Sequence, residues 1–263
     1  MRNDDSQAAA TTFRRLLHAQ RVWDTELPAF DVAAAPSAPL PLFRQWFAEA
    51  VAAGQPEPHV MQLATVDESG SGSELGSGAG SEPGSRSGSE PGSRSGSEPG
   101  SRSGSPSRPD VRTLMLHDAD ERGWHFASHA SSRKGRQIAA NPAAALHFYW
   151  VTQGRQIRVR GRVTTASPAE GQADLHARST GALAAALVGH QSEALASRDE
   201  LARASEAAWD RAAAEPSAPV PSWTLYVLEP DEVEFFQGDA SRQHVRLRYQ
   251  RDGTDWRTGL LWP

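Results

Sequence analysis

The sequence predicts a mainly β fold with peripheral helices, an α+β antiparallel barrel, on three observations. Gln156-Ile157-Arg158-Val159-Arg160-Gly161-Arg162-Val163 alternates at the period of a strand with one covered face, Ile157, Val159 and Val163 inward. Six or seven strand-like runs follow one another, mostly at hairpin distance. Apart from one short segment, the helical runs gather before the first strand and after the first five.

Thr11 or Thr12 caps a first helix through Phe13, Leu16, Leu17 and Val22 to about Trp23, and Leu27 to Asp31 is a loop. A second helix runs from about Leu40 to Ala53, with Leu42, Phe43, Trp46, Phe47 and Val51 at helical spacing and Gly54 as its stop. Val60 to Val66 reads as a strand, and Val111 to His117 as its return. Between them, residues 69–109 repeat the octet GSEPGSRS from Gly80, Gly88 and Gly96. Such a Gly/Ser/Pro tract buries too little apolar surface to offset its ordering entropy, so disorder is expected. It reads as an insertion at a hairpin tip, where added length costs little. The organisation is therefore 1–68, a 69–109 insertion, and 110–263 as the remainder of one domain.

The next two strands, around Trp124 to Ser128 and Ala145 to Trp150, flank Ser131-Ser132-Arg133-Lys134-Gly135-Arg136-Gln137. Ser131 or Ser132 N-caps a short helix that ends before Asn141-Pro142. Arg133, Lys134 and Arg136 then occupy its first turn, where the helix dipole disfavours each cation by ~0.3–1 kcal/mol. A bound anion removes that penalty. Lys134 is also the only lysine among 27 basic residues, and lysine and arginine are not interchangeable at a tight site. An exposed basic turn has the same pattern, and the residues alone leave both readings open.

Ser167-Pro168-Ala169-Glu170 is a capping box opening a helix to about Arg178, followed by another through Leu183 and Leu187. Ser197 to Glu200 is a second box, opening a helix to about Ala214. Residues 215–221 are a proline-rich connector. Strands over Trp223–Leu228, Glu232–Gln237 and Arg242–Gln250 follow, and an Asp252-Gly253 turn leads to a last strand ending at Leu261-Trp262.

The chain has 263 residues and a formal charge of −5, and the tract contributes none of it because its four Glu and four Arg cancel. A mildly acidic chain with no lysine-rich run argues against nucleic acid as a partner. Cysteine is absent, which excludes disulfides and thiolate chemistry. No run approaches membrane-spanning length and Met1 to Asp5 is not a leader, so a soluble cytoplasmic protein is expected. Nucleophile-elbow, Walker and HExxH motifs are missing, and the histidines show no metal-ligand spacing. An enzyme built this way needs a cofactor that brings its own chemistry. Arg242, His244, Arg246 and Arg248 share one face of the predicted strand, and so do Arg158, Arg160 and Arg162 of theirs; pattern alone favours solvated faces for both. Arg112, in phase with Leu114 and Leu116, is drawn inward and requires an anionic partner.

The ordered set Leu63-Ala64-Thr65-Val66-Asp67, Arg112-Thr113-Leu114-Met115-Leu116, Ser132-Arg133-Lys134, Asn141-Pro142, Gln156, Gln191-Ser192, Pro221-Ser222-Trp223 and Arg242-x-His244-x-Arg246 resembles the pyridoxamine 5′-phosphate oxidase family. The resemblance implies a split β-barrel that binds FMN across a homodimer interface. It assigns Arg112, Arg133 and Lys134 to the FMN phosphate, and Thr113, Leu114, Met115, Leu116, Ala127 and Ser128 to the flavin wall. Gln156, Gln191, Ser192 and Arg246 would complete the site, several from the second subunit. Arg242 and His244 match the substrate-contacting catalytic pair. Hydride would pass from substrate to flavin, with O2 reoxidising it to give peroxide.

The departures from the family pattern are specific. His117 stands at a substrate-binding position where the family has lysine, and Phe236 replaces a tryptophan beside the flavin. Aligned without gaps from His176 to Ser192, the family's tyrosine, arginine and serine for substrate phosphate fall on Asp174, Thr180 and Ala182. The expected function is an FMN-dependent oxidase of pyridoxine or pyridoxamine 5′-phosphate or a similar small heteroaromatic, with no metal. The alternatives are a phenazine-biosynthesis-type oxidase of a reduced aromatic carboxylate, or a flavin- or haem-binding split-barrel protein without turnover. Retained Arg242 and His244 speak against the last.

Overall fold

The β-rich order of the sequence is realised as one sheet of nine strands in a computed structural model that describes residues 2–22, 26–67 and 107–263. The strands are β1 (Val60–Asp67), β2 (Arg108–Met115), β3 (Asp118–Asp120), β4 (Gly123–His129), β5 (Ala143–Trp150), β6 (Arg155–Thr165), β7 (Trp223–Gln237), β8 (Val245–Asp252) and β9 (Asp255–Leu260). Nine exceeds the expected six or seven; the runs named one by one also come to nine, because the unforeseen three-residue β3 is balanced by two predicted runs that join in β7.

The pairing order β2-β1-β5-β6-β7-β4-β3 places sequence neighbours at its two ends. Flat, these strands would separate β2 from β3 by roughly 29 Å at the usual ~4.8 Å spacing. The chain covers that interval between Met115 and Asp118, a reach of at most about 11 Å. The sheet must therefore curl, and the backbone shows it: Leu116 N bonds His59 O beside β1, while His117 N bonds His125 O in β4. One edge of β7 is shared, with residues 223–228 pairing β4 and residues 232–237 pairing β8. That fork makes the barrel a split one.

The sequence reading divides β7 in two at Glu229-Pro230-Asp231, because proline usually breaks a central strand. Here a register shift between Arg160 and Gly161 lets Pro230 pass opposite a glycine. A Cβ at Gly161 would lie 1.9 Å from Glu229 O, so only glycine admits this crossing.

The helices are α1 (Arg2–His18), α2 (Pro39–Ala52), α3 (Arg133–Ala140), α4 (Pro168–His176), α5 (Thr180–Val188) and α6 (Arg198–Ala214). Helix α1 starts before the predicted Thr11–Thr12 cap and ends before Trp23, and its Phe13, Leu16 and Leu17 are exposed. Helix α2 places Leu42, Phe43 and Trp46 inside the barrel, with Val51 on the outer side contrary to expectation. The Phe43 ring meets Trp124 at 5.5 Å and Phe148 at 5.2 Å, while Trp46 meets Phe235 at 5.2 Å. The Ser167 box forms in full. Of the Ser197 box only half forms: Ser197 caps Glu200 N, but the Glu200 carboxylate accepts from Ala196 N. Leu175, Leu183, Ala184, Ala186 and Ala212 make a second small core joining α4, α5 and α6.

Strand β2 begins at Arg108, earlier than the predicted Val111, and pairs antiparallel with β1 out to Asp67 opposite Arg108. The rest of the predicted insertion lies outside the described residues. Replacing residues 69–106 by a short Asn-Gly-containing loop is expected to leave the melting temperature nearly unchanged, since the paired strand ends need only a turn. A fall of many degrees in a thermal melt would reveal a docking role for the tract.

Candidate functional site

The site is built outward from α3. Ser132 accepts a hydrogen bond from Gly135 N and so starts the helix, which ends at Asn141 before Pro142, as predicted. This places Lys134 inside the protein, only 7% exposed. Its ammonium donates to Ser128 Oγ at 3.1 Å and to Gln191 Oε1 at 3.2 Å, and Ser128 itself donates to Gln191. Among the described residues Lys134 forms no ion pair. Burial lowers its pKa, Arg112 lowers it further, and Asp110 opposes both from a distance. A buried ammonium held only by neutral groups is costly, and an anion from outside would remove the cost.

The other two cations of the predicted trio are satisfied differently. Arg112 points inward from β2, as its phase requires, and pairs with Asp110 at 2.7 Å, Thr65 Oγ1 at 2.7 Å and Gln137 Oε1 at 2.9 Å. Asp110 is the partner the sequence calls for without naming. Burial pushes Asp110 up, but Gln137, Arg112 and Arg133 hold its carboxyl below its ordinary value. Arg133 is exposed, faces Asp67 at 3.3 Å and takes Ser192 Oγ on its backbone N–H at 3.2 Å. Arg136 turns back to the Ser131 carbonyl and leaves the group.

A cavity of about 510 Å³ opens beside Lys134, and its lining includes the predicted Thr113, Leu114, Met115, Ala127, Ser128 and Gln191. Leu116 instead packs on the barrel core. His129, Arg178 and Trp223 also line the cavity and were not among the expected cofactor residues. His129 Nδ1 contacts Ser222 Oγ at 2.9 Å, and burial, with Lys134 nearby, lowers its pKa.

The remaining predicted residues collect elsewhere. Gln156, Phe236 and Arg246 line a separate groove of about 220 Å³ with Arg158, Glu234 and Pro263. Arg246 pairs with buried Glu234 at 2.8 Å and donates to Trp262 O at 2.7 Å. Burial raises the Glu234 pKa, but Arg246 and Arg158 more than offset it and hold the group ionised. Arg242 and His244 are not on a strand: β8 starts at Val245, and Arg242 sits in a turn at φ +69°. Only Arg246 and Arg248 remain of the predicted row. His244 packs on Phe236 at 5.2 Å and accepts from Asp239 N at 3.0 Å. The predicted residues thus fall into two separate clusters.

His117 and Asp174, two of the departures from the family pattern, meet at 2.9 Å. Thr180, where the ungapped reading sets the family arginine, is exposed at the start of α5, whereas Arg178 lines the cavity with Ala182. The position four residues before Arg178 is Asp174, a helical ion-pair spacing that could have marked it.

Barrel and fork together define a split β-barrel protein. Residues 100–212 match the family described as pyridoxamine 5′-phosphate oxidase, and residues 223–263 match the pyridoxine 5′-phosphate oxidase C-terminal dimerisation region. The pyridoxine/pyridoxamine 5′-phosphate oxidase of Burkholderia ambifaria is 35% identical over 228 residues, 86% of this chain and 89% of that one. One from Pseudomonas fluorescens is 37% identical over 88% of this chain and 91% of its own. Among solved structures, PhzG from Burkholderia lata in complex with tetrahydrophenazine-1-carboxylic acid superposes with a TM-score of 0.71 at 28% identity, covering 91% of this chain and all of that one. The chain belongs to the pyridoxamine 5′-phosphate oxidase family, and it is an oxidoreductase. No helix among the described residues is long and apolar enough to cross a membrane.

Proposed function

We propose that this protein is an FMN-dependent oxidase of a small heteroaromatic substrate, passing electrons to O2 with release of peroxide, and that it works as a homodimer. The observation that carries the reading is Lys134, a buried ammonium without an ion-pair partner among the described residues, beside a mostly apolar cavity of about 510 Å³. Those residues fit the group: a phosphate supplies the anion that Lys134 lacks, and the flat wall from Thr113 to Met115 suits a ring. When bound, FMN supplies the hydride-accepting chemistry.

The chain's own residues hold and orient. Lys134 and Arg133 approach the phosphate, Ser128 and Gln191 fix the ammonium, and Asp110 keeps Arg112 aimed. The Gln156–Phe236–Arg246 groove, with His244 against Phe236, is the half-site that a second copy would bring over the ring. Its Phe236 and Arg246 lie within the stretch matched by the dimerisation region. An FMN-loaded, active monomer in light scattering would refute the dimer.

The decisive experiment is the visible spectrum of the purified protein, followed by anaerobic titration with pyridoxine 5′-phosphate and with a reduced aromatic carboxylate. Bleaching of the bound flavin by either supports the oxidase. A protein that neither carries nor takes up FMN overturns it.

A further inference from the structure

We infer that Asp174 is a specificity-determining residue, which closes Arg178 into an ion pair braced by His117 and Trp223 so that the cavity selects ring substrates lacking a phosphate group. The inference deepens the oxidase reading and rests on it. Among the described residues that line the cavity, Arg178 is the only lysine, arginine or carboxylate. A lone arginine in an apolar wall would be a ready anchor for phosphate, through two parallel hydrogen bonds.

That anchor is already taken. Arg178 Nε and Nη2 donate to the Asp174 carboxylate at 3.1 and 3.2 Å. His117 Nδ1 lies 2.9 Å from Asp174 Oδ1, and Trp223 Nε1 donates to Oδ2 at 3.0 Å. A carboxylate offers about four acceptor positions, so this one is saturated. Burial pushes the Asp174 carboxyl up, yet His117, Arg178 and Trp223 hold it well below the usual carboxylate range. The Arg178 guanidinium also lies over the Trp223 ring, 5.0 Å from its centroid. Position and charge of the cation are both fixed.

An incoming phosphate dianion meets two unfavourable choices. It can sit beside the Asp174 carboxylate, or it can draw Arg178 away and leave that buried carboxylate short of its main counter-charge. A ring without phosphate faces neither, and the methyl groups of Ala182, Ala185 and Ala186 on α5 give it a flat apolar wall. His117, itself exposed, completes the set around Asp174 from the link between β2 and β3.

The test is calorimetry on the FMN-loaded protein with pyridoxine 5′-phosphate and pyridoxine side by side. In the parent, pyridoxine should bind at least as tightly as pyridoxine 5′-phosphate, because the one cation in the cavity wall is already paired. Asp174→Asn keeps the shape, frees Arg178, and should tighten pyridoxine 5′-phosphate about tenfold, the size of one charge-assisted contact, with pyridoxine unchanged. Arg178→Gln leaves Asp174 without its main counter-charge, so pyridoxine 5′-phosphate should weaken further against pyridoxine, and the comparison in the parent tests the idea even if Asp174→Asn folds poorly. A parent that prefers the phosphorylated ligand tenfold or more, with the preference lost in Arg178→Gln, overturns the inference, as does a folded Asp174→Asn that gains nothing. The flavin spectrum of the same preparation separates the two readings: failure to take up FMN refutes the oxidase, whereas the ligand comparison judges Asp174.

Discussion

Replacing Lys134 by alanine is expected to weaken FMN binding tenfold or more while leaving the cofactor-free protein at least as stable as before. The two effects have opposite signs for one reason. A charge-assisted contact to phosphate is worth roughly 1.5–3 kcal/mol, and the variant loses it. Without the anion, the same ammonium is buried between Ser128 and Gln191 with no ion-pair partner among the described residues, so its removal relieves a cost. Fluorescence titration reads the first effect and a thermal melt of the stripped protein the second. The pH dependence follows. Because burial lowers the Lys134 pKa from its ordinary 10.5, the unfolded chain holds this proton more tightly than the folded one. Stability of the cofactor-free protein should therefore rise with pH between the lowered value and 10.5, and Lys134→Met should flatten that rise. A lysine variant that binds FMN as tightly as the parent would remove α3 from the site.

Gly135→Ala should destabilise the protein by about 3 kcal/mol, or roughly 6–12 °C in melting temperature for a domain of this size. Gly135 packs the first turn of α3 onto the end of β4, and an added Cβ would lie 2.3 Å from the Ala130 carbonyl oxygen and 2.7 Å from that of His129. Both neighbours are backbone, so no side chain can swing aside. The helix must move, and Lys134 moves with it, so FMN affinity should fall in the same variant. Gly259→Ala is the control, since nothing lies within 4 Å of a Cβ there; its melt should match the parent within about 0.5 kcal/mol.

The parts of this architecture that were legible beforehand rest on local signals. The Ser132 cap, the Pro142 stop and the alternation of β6 each depend on a few adjacent residues, and all three are found. What escaped depends on distant partners. Pro230 looks like a strand break until Gly161 on the neighbouring strand is seen to make room for it. Arg242 and His244 keep the period-two spacing of β8, but the Asp239 side chain accepts from the backbone of Ser241 and Gln243 and winds that stretch into a turn. Arg112 is the exception: its carboxylate, Asp110, stands two residues back on the same strand face, a local signal that the phase argument could have used. Counting along α4 and α5 set the family arginine on Thr180, which is exposed, whereas Arg178, four residues after Asp174, reaches the cavity.

The undivided β7 carries a mechanical consequence. Trp223 at one end lines the main cavity and Phe236 near the other lines the groove. The strand between them is braced by β6 along most of one edge and by β4 and β8 along the other. It behaves as a girder, not a hinge. A shift imposed at the Trp223 end is carried to the Phe236 end as rigid displacement rather than absorbed on the way. The spacing between cavity and groove is thus set by one strut of fixed length, and an assembly that joined the groove of one copy to the cavity of another would inherit that length as its gauge.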